Sequence, residues 1–136
     1  MKEVYFLDTS YILALEIKNE DAHQQVLQNW NFLAKSQPLL VTTTYIFDKV
    51  VTFFNSINLH YKAVEVGNQL LESPDIELIN IDKSLFNQGW QYFQKHQDKS
   101  YSLTDCLSFI IMKQRKIVTA LTLDNHFLQA GFEVLP

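Results

Sequence analysis

Residues 4–15 read VYFLDTSYILAL and open with a short apolar run, VYFLD, that ends in an acid. A run of strand-forming residues without polar alternation is typical of a strand buried on both faces, as in a parallel sheet. Thr9 and Ser10 can then cap a helix that continues through YILALEIK. The segment therefore predicts a buried strand that passes directly into a helix, with Asp8 at the junction.

The rest of the chain repeats this alternation. Further strands are predicted at PLLVT (38–42), IELINI (76–81), KIVTALTLD (116–124) and, as a short last one, in GFEVLP (131–136). Helices are predicted at 21–35, from the threonines at 42–44 to about 54, at 61–72, after the third strand with Phe86, Trp90 and Phe93 on one stripe, and after Ser102. The alternation indicates the α/β class, as a single domain of residues 1–136. We expect a central parallel β-sheet of four to five strands, flanked by helices on both faces.

The composition is that of a folded domain without a strong charge bias. Hydrophobic residues make up 47% of the chain and aromatic residues 13%, which excludes a disordered protein. A formal charge of −4 argues against broad, nonspecific affinity for phosphate backbones. An enzyme acting on nucleic acid stays open, because a cleft that holds cations can bind phosphate whatever the total charge.

The cysteine count and the hydropathy of the sequence exclude further classes of protein. Cys106 is the single cysteine, which excludes an internal disulfide framework and a cysteine-built zinc site. It faces the same way as Ile110 in its predicted helix, so we expect a small core residue. The amino end lacks the long apolar stretch of a signal peptide, and no run approaches the length of a membrane span. We therefore expect a cytoplasmic protein with no membrane association.

Four aspartates lie where a parallel sheet gathers side chains. Asp8 closes the first strand and Asp124 the fourth, while Asp105 opens the helix that leads into the fourth strand. Asp48 lies about a turn and a half into the helix after the second strand. Ligands of open parallel sheets bind beyond the carboxyl ends of the strands, where the strand order reverses. We expect Asp8, Asp105 and Asp124 to converge there.

Each acid also has a structural explanation. Ser102 and Asp105 match a capping box, and Asp8 or Asp124 can cap the helix that follows it. A convergent trio is different, because two like charges about 4 Å apart cost on the order of 4 kcal/mol near a protein surface. Protonation, water or a cation must relieve them. Oxygen ligands favour Mg²⁺ or Mn²⁺, ions that support phosphodiester hydrolysis by water.

Three segments carry a family resemblance: FLDTSYILAL near the amino end, SLTDCLSFIIM in the last third and ALTLDNHFLQAGFEVLP at the end. They resemble the PIN-domain family, and within it the VapC-type toxins of bacterial toxin–antitoxin pairs. The resemblance covers Val4 to Pro136. It implies a Mg²⁺- or Mn²⁺-dependent ribonuclease with an RNA substrate, a cognate antitoxin as partner, and a homodimer.

The resemblance also implies roles for individual residues. Asp8 and Asp105 match the acids that bind the metal directly, and Asp124 matches the acid that binds a second ion or holds its water. Thr9 and Thr104 would be supporting hydroxyls.

One position departs from the family pattern. The Glu expected on the helix after the second strand falls at Lys49, with Asp48 one position earlier. Neighbouring helical positions point about 100° apart, so a small rotation would let Asp48 substitute as a fourth catalytic acid. Otherwise Lys49 brings a cation into the site, weakens the second metal position, or contacts the scissile phosphate as a supporting residue. The alternative function is therefore a catalytically weakened PIN-fold module that binds RNA or protein.

Several other features receive ordinary interpretations. A phosphate-accepting receiver domain ranks last, because YFLDTS supplies only one acid at the first strand.

His126 could bind metal or RNA phosphate, but a surface histidine in a short helix is expected, and His23, His60 and His96 are also expected at the surface. KQRK (113–116) is expected to be a solvated helix end. The apolar residues Tyr11, Ile12, Leu15 and Ile17 cover more than one side of a short helix, which suggests a surface for pairing.

Overall fold

The computed structural model describes residues 2–136. Within this range the chain forms five strands: β1 Val4–Leu7, β2 Leu39–Thr43, β3 Ile76–Ile79, β4 Thr119–Leu121 and β5 Glu133–Leu135. It also forms seven helices: α1 Thr9–Glu16, α2 His23–Ala34, α3 Thr44–Ser56, α4 His60–Glu72, α5 Lys83–Lys95, α6 Leu103–Arg115 and α7 Asn125–Gln129. None of these helices is both long and apolar enough to cross a membrane.

The strands form one parallel sheet in the order β3-β2-β1-β4-β5. Phe6 of β1 pairs with Val41 of β2 on one side and with Ala120 of β4 on the other. The chain moves outward from β1 to β3 and then returns to the opposite side of β1, so the strand order reverses between β1 and β4. At such a point the carboxyl ends of two neighbouring strands open a crevice. The predicted fold class and parallel sheet are confirmed.

The helices form two sets. Helices α1 to α4 contact one another, whereas α5 packs on α6, which reaches α7. Right-handed crossovers place the helices that precede β3 on one face of the sheet and those that follow it on the other. The sheet is thus covered on both faces, and the side chains of its central strands, such as Phe6 and Val41, are almost completely buried. This burial explains why β1 and β2 read as continuous apolar runs.

Cys106 lies in this core, as predicted, with none of its surface exposed. Burial raises the pKa of its thiol to about 11, and the neighbouring charge of Asp105 acts in the same direction. The thiol is therefore a packing group rather than a nucleophile.

The expectation that α1 presents an apolar surface is wrong. Tyr11 and Ile12 are buried, with 0% and 5% of their surface exposed, because α1 is enclosed by α2 and α3. Leu15 and Ile17 are half-buried and pack against the same core. The homodimer stays a prediction, without support from α1.

The histidines also differ from expectation. His23 is buried, and its Nδ1 lies 2.8 Å from the carbonyl oxygen of Ala14, so the prediction of a surface residue is wrong. His60 is exposed, as predicted. His96 is half-buried and stacks on Tyr92 with ring centroids 4.0 Å apart.

The KQRK segment forms the exposed carboxyl end of α6, as predicted. Within it, Arg115 donates two hydrogen bonds of 2.9 and 2.7 Å to Glu77 of β3, and these hydrogen bonds lower the pKa of the Glu77 carboxyl. Because both side chains are about half exposed, the pair contributes at most about 1 kcal/mol.

The contact between α5 and α6 depends on Gly89. This residue is buried, and a Cβ atom added there would lie 2.8 Å from Cγ of Leu107 and closer still to Cδ2 of the same side chain. Leu107 has no exposed surface, so it has little room to move. The absence of a side chain at position 89 lets the two helices approach.

We predict that Gly89→Ala destabilises the protein, although alanine is the better helix former by about 1 kcal/mol. Overpacking costs about 1–3 kcal/mol, which exceeds the gain in helix propensity. Urea denaturation should show a lower midpoint for Gly89→Ala, and the double variant Gly89→Ala/Leu107→Val should recover part of the loss. An unchanged or higher midpoint would mean that Leu107 adjusts freely.

Candidate active site

Asp8 follows β1 at the point where the strand order reverses. Its backbone N–H donates to the carbonyl oxygen of Leu121 on β4 at 3.1 Å, and only 5% of the residue is exposed. Burial raises the pKa of the Asp8 carboxyl, and the charge of Asp105 raises it further. Hydrogen bonds from Thr122, Ser10 and the Thr9 backbone act in the opposite direction without cancelling the rise.

Two hydroxyl groups hold Oδ2 of Asp8. Thr122 Oγ1 donates to it at 2.7 Å and Ser10 Oγ at 3.2 Å. Ser10 Oγ also accepts the backbone N–H of Leu123 at 2.9 Å, so the start of α1 is tied to the segment after β4. The prediction that Thr9 and Ser10 cap α1 is wrong, because the helix begins after Asp8 without a side-chain cap. Among residues 2–136, Thr9 Oγ1 finds no hydrogen-bond partner although it is buried.

Asp105 caps α6 and faces the crevice with the same side chain. Its backbone N–H donates to Ser102 Oγ at 3.0 Å, and its Oδ2 accepts the backbone N–H of Ser102 at 3.1 Å, which completes the predicted capping box. Only 7% of Asp105 is exposed. Thr104 is buried in the first turn of α6, and its role as a supporting hydroxyl stays a prediction.

The imidazole of His126 contacts both Asp105 and Asp124. Its Nδ1 lies 3.0 Å from Oδ2 of Asp105 and 3.3 Å from Oδ1 of Asp124. Asp124 Oδ1 also accepts the backbone N–H of His126 at 2.9 Å, which caps α7 as the sequence allowed. The other ring nitrogen of His126, Nε2, lies 3.2 Å from Ser100 Oγ.

The expectation of an ordinary surface histidine at 126 is therefore wrong, since both ring nitrogens have partners and 24% of the side chain is exposed. The sequence did contain a signal for this contact. His126 lies two residues after Asp124, in the first turn of the helix that Asp124 caps. A helical start at that point turns the imidazole back toward the crevice.

Asp105, Asp124 and His126 offer ligand atoms that all lie within 4.8 Å of one another, a grouping of metal-ligand types found among residues 2–136. Asp8 lies outside that radius but is close enough for the charge of Asp105 to raise its pKa. The three aspartates therefore converge at one edge of the sheet. A nitrogen placed between two carboxylates relieves part of their repulsion.

Asp48 does not belong to this cluster. It is exposed on α3, and its Oδ1 accepts the Thr52 hydroxyl at 3.2 Å. Lys49 is exposed as well, because Ile46 and Val50 occupy the core-facing positions of the same helix. Asp48 is not part of the grouping of Asp105, Asp124 and His126, and its role as a fourth catalytic acid stays a prediction.

The sequence matches the PIN domain family over residues 5–133, almost the whole chain. The chain belongs to the PIN-domain family. This membership removes the receiver-domain interpretation. The carboxyl edge that carries Asp8, Asp105 and Asp124 is thus the edge on which a PIN-domain site was expected.

VapC20 of Mycobacterium tuberculosis is a relative of nearly equal length. It is named a 23S rRNA-specific endonuclease and is 29% identical over 132 residues, covering 96% of this chain and 98% of VapC20. Its crystal structure, described as that of a sarcin–ricin-loop-cleaving toxin, matches with a TM-score of 0.86 at 27% identity, over 98% of this chain and 100% of that chain.

More distant structures share the fold. FitAcB from Neisseria gonorrhoeae matches with a TM-score of 0.67 at 17% identity, over 98% of this chain and 96% of that chain. VapBC2 from Rickettsia felis, bound to a DNA fragment from their promoter, matches with a TM-score of 0.69 at 13% identity, over 96% of each chain.

The residues of the crevice suit the divalent cation that the family resemblance predicts. Two carboxylates and an imidazole lie within ligand reach of one another, with a third carboxylate buried beside them. Carboxylate oxygens are ligands that Mg²⁺ and Mn²⁺ prefer.

We predict that Asp8→Asn stabilises the metal-free protein. The pKa of the Asp8 carboxyl is raised on folding, so its ionised form opposes folding at neutral pH, and an amide removes that opposition. In EDTA the melting temperature should rise by about 2–5 °C, which corresponds to about 1 kcal/mol.

The control is Asp21→Asn, which changes an exposed aspartate at the start of the α2 region and should leave the melting temperature unchanged. A lower melting temperature for Asp8→Asn would show that the hydrogen bonds from Thr122 and Ser10 outweigh the cost of burying the charge.

Proposed function

We propose that this chain is a Mg²⁺- or Mn²⁺-dependent endoribonuclease and the toxin of a toxin–antitoxin pair. The observation that carries the proposal is the convergence of Asp8, Asp105 and Asp124 at the carboxyl edge of a PIN-domain sheet. The likeness to VapC20 along nearly the full length supports RNA as the substrate. Because VapC20 is named for 23S rRNA, that RNA and its sarcin–ricin loop are the first substrates to test.

In this proposal Asp8, Asp105 and Asp124 hold the cation. A bound divalent ion supplies water activation and neutralises the charge that develops on the phosphoryl group. The chain orients the acids beforehand: Ser102 N–H and His126 Nδ1 fix Oδ2 of Asp105, and the His126 backbone fixes Oδ1 of Asp124. Each of these two carboxylates keeps its other oxygen for a ligand.

Electrostatic preorganisation follows from this arrangement. The carboxylates are held by backbone and imidazole N–H groups rather than by bulk water, so little reorganisation accompanies ligand binding. Burial of Asp8 and Asp105 keeps the local dielectric low, which strengthens the attraction for a cation.

The partner proteins of structurally similar chains support the assignment of this chain as a toxin. VapBC and FitAB assemblies share this fold, so we propose that a cognate antitoxin protein binds this chain. We also propose a homodimer, on the strength of the family resemblance.

We predict that millimolar Mn²⁺ or Mg²⁺ raises the melting temperature of the wild type and that Asp105→Asn abolishes the rise. The same ions should support cleavage of a sarcin–ricin-loop RNA by the wild type and not by the variant, with a loss of at least about a hundredfold. Thermal melting with and without metal, and gel analysis of the RNA products, give the two readouts.

Asp82→Asn is the matched control, because Asp82 also caps a helix, with Oδ1 accepting the Leu85 N–H at 2.9 Å, but lies on the exposed start of α5. It should lose a little stability and keep the metal response. A wild-type melting curve that metal leaves unchanged would count heavily against the proposal.

The alternative function, a weakened binding module, rests on the exposed positions of Asp48 and Lys49. With neither of them in the cluster, the acid that the family pattern expects on α3 is missing from the crevice. The site then has three acids to hold its cations, with His126 positioning two of them.

We predict that Lys49→Glu raises the rate of RNA cleavage at least about tenfold, because it adds a carboxylate where the family pattern has one. The comparison is with Lys35→Glu, which makes the same change of charge at an exposed position after α2. If the wild type is inert and only Lys49→Glu cuts RNA, the weakened module is correct. If the wild type already cuts and neither change matters, position 49 has no catalytic role.

A further inference from the structure

Helix α5 carries an aromatic stripe that the core does not use. Its packed side is formed by Leu85, Gly89 and Tyr92, whereas Phe86, Trp90 and Phe93 are 38%, 46% and 38% exposed. The rings of Trp90 and Phe93 stack at a centroid distance of 5.5 Å and an interplanar angle of 11°. We call this pair the aromatic platform. Its exposed part offers an apolar aromatic surface to solvent.

The aromatic platform borders a groove of about 620 Å³. Beside the aromatic rings, Gln94, Gln97 and Lys99 line the groove, so it offers two amides and an ammonium group. None of the lining residues is acidic, but Asp98 lies between Gln97 and Lys99 in sequence, and its charge is close enough to raise the pKa of the Tyr101 hydroxyl. The local chemistry suits a flat ligand with hydrogen-bonding edges and one phosphate near Lys99.

The groove leads to the candidate active site. Ser100 lines the groove, and its Oγ lies 3.2 Å from Nε2 of His126, whose Nδ1 contacts Asp105 at 3.0 Å. Tyr101 also lines the groove, and its ring meets the His126 ring edge-on at 5.5 Å. One residue therefore separates the groove from the acids.

We propose that this groove binds single-stranded RNA beside the scissile phosphate, with a base stacked on the aromatic platform. In this arrangement Gln94 and Gln97 reach the edges of the base, and Lys99 faces the backbone phosphate. The proposal deepens the proposed function and rests on it for the identity of the substrate. Proteins that bind single-stranded RNA use this combination of exposed aromatic rings and adjacent cations.

The lining favours RNA over a second copy of this chain. The buried centres of protein interfaces are depleted of lysine, whereas Lys99 lies within the groove. Continuity with the acid cluster also fits a substrate, which must extend on at least one side of the bond that is cut.

The test uses the full chain with Trp30→Phe, which leaves Trp90 as the single tryptophan. In EDTA, to prevent hydrolysis, single-stranded oligoadenylate should quench Trp90 fluorescence to saturation, and inorganic triphosphate at equal charge should not. In the otherwise wild-type chain, the double variant Trp90→Leu/Phe93→Ala should weaken oligoadenylate binding by roughly tenfold or more in fluorescence anisotropy. The single variant Trp90→Tyr, which keeps a stacking ring, should retain most of the wild-type affinity.

Phe32→Ala is the matched control, since Phe32 is an exposed aromatic residue on α2 with 70% of its surface accessible, and it should leave binding unchanged. Melting curves establish that each variant is folded. Saturation of RNA binding without quenching of Trp90, or equal affinity for the platform and control variants, would overturn the groove.

Two further outcomes are separable. If RNA quenches the fluorescence of Trp90 and the platform variants bind RNA weakly, but the wild type does not cut RNA in the presence of metal, the RNA-binding groove is supported and the nuclease assignment is wrong. If Trp90 emission shifts to the blue with protein concentration in the absence of RNA, and Trp90→Leu converts a dimer to a monomer by sedimentation, a second copy covers the platform and the RNA groove is overturned.

Discussion

Asp105 and Asp124 both contact the Nδ1 atom of His126, and the arrangement of the candidate active site depends on that contact. Two carboxylates drawn together at a sheet edge repel each other, and the imidazole nitrogen lies 3.0 and 3.3 Å from their oxygens. Asp105 lies at the start of α6, which leads into β4, and Asp124 follows β4, so both acids lie at the carboxyl end of that strand. The pairing of β1 with β4 brings Asp8 to the same edge. Asp8 is buried beside them, and that burial raises the pKa of its carboxyl, with a smaller contribution from the charge of Asp105.

Helix capping and metal binding are compatible roles for these acids. Asp105 closes a capping box and Asp124 caps α7, and each does so with a single oxygen. A cap contributes about 1 kcal/mol, and the positive end of the helix dipole lowers the cost of placing negative charge there. Capping thus fixes the direction of each carboxylate while leaving an oxygen for a cation. The same local bonds that stabilise the helices also aim the site.

The sequence predicted the fold and the convergence of the acids because both follow from local patterns. Apolar runs ending in Asp8 and Asp124 identify the carboxyl ends of buried strands, and a parallel sheet brings such ends to one edge. Side-chain direction was less predictable. The Ser10 hydroxyl contacts Thr122 and Leu123 instead of capping α1, and His126 faces Asp105, because both side chains find partners more than 20 residues away in sequence.

Helix α5 shows why periodicity alone could not identify the face that meets the core. Two stripes with the same spacing lie side by side on it, Phe86, Trp90 and Phe93 in one, and Leu85, Gly89 and Tyr92 in the other. The larger aromatic stripe has the stronger hydrophobic signal, yet the stripe containing Gly89 faces α6. A missing side chain allows the closer approach, and packing depends on that approach as well as on apolar area.

The outward position of the aromatic stripe bears on how a chain with a charge of −4 could hold RNA. Phosphate contacts supply most of the affinity of basic proteins, but the crevice here is acidic and would attract phosphate only through bound cations. Stacking on aromatic rings does not depend on net charge, since every base has a π-face. A platform one residue away from the acids would let the protein hold a base without placing lysines next to Asp105 and Asp124, where they would compete with the cation.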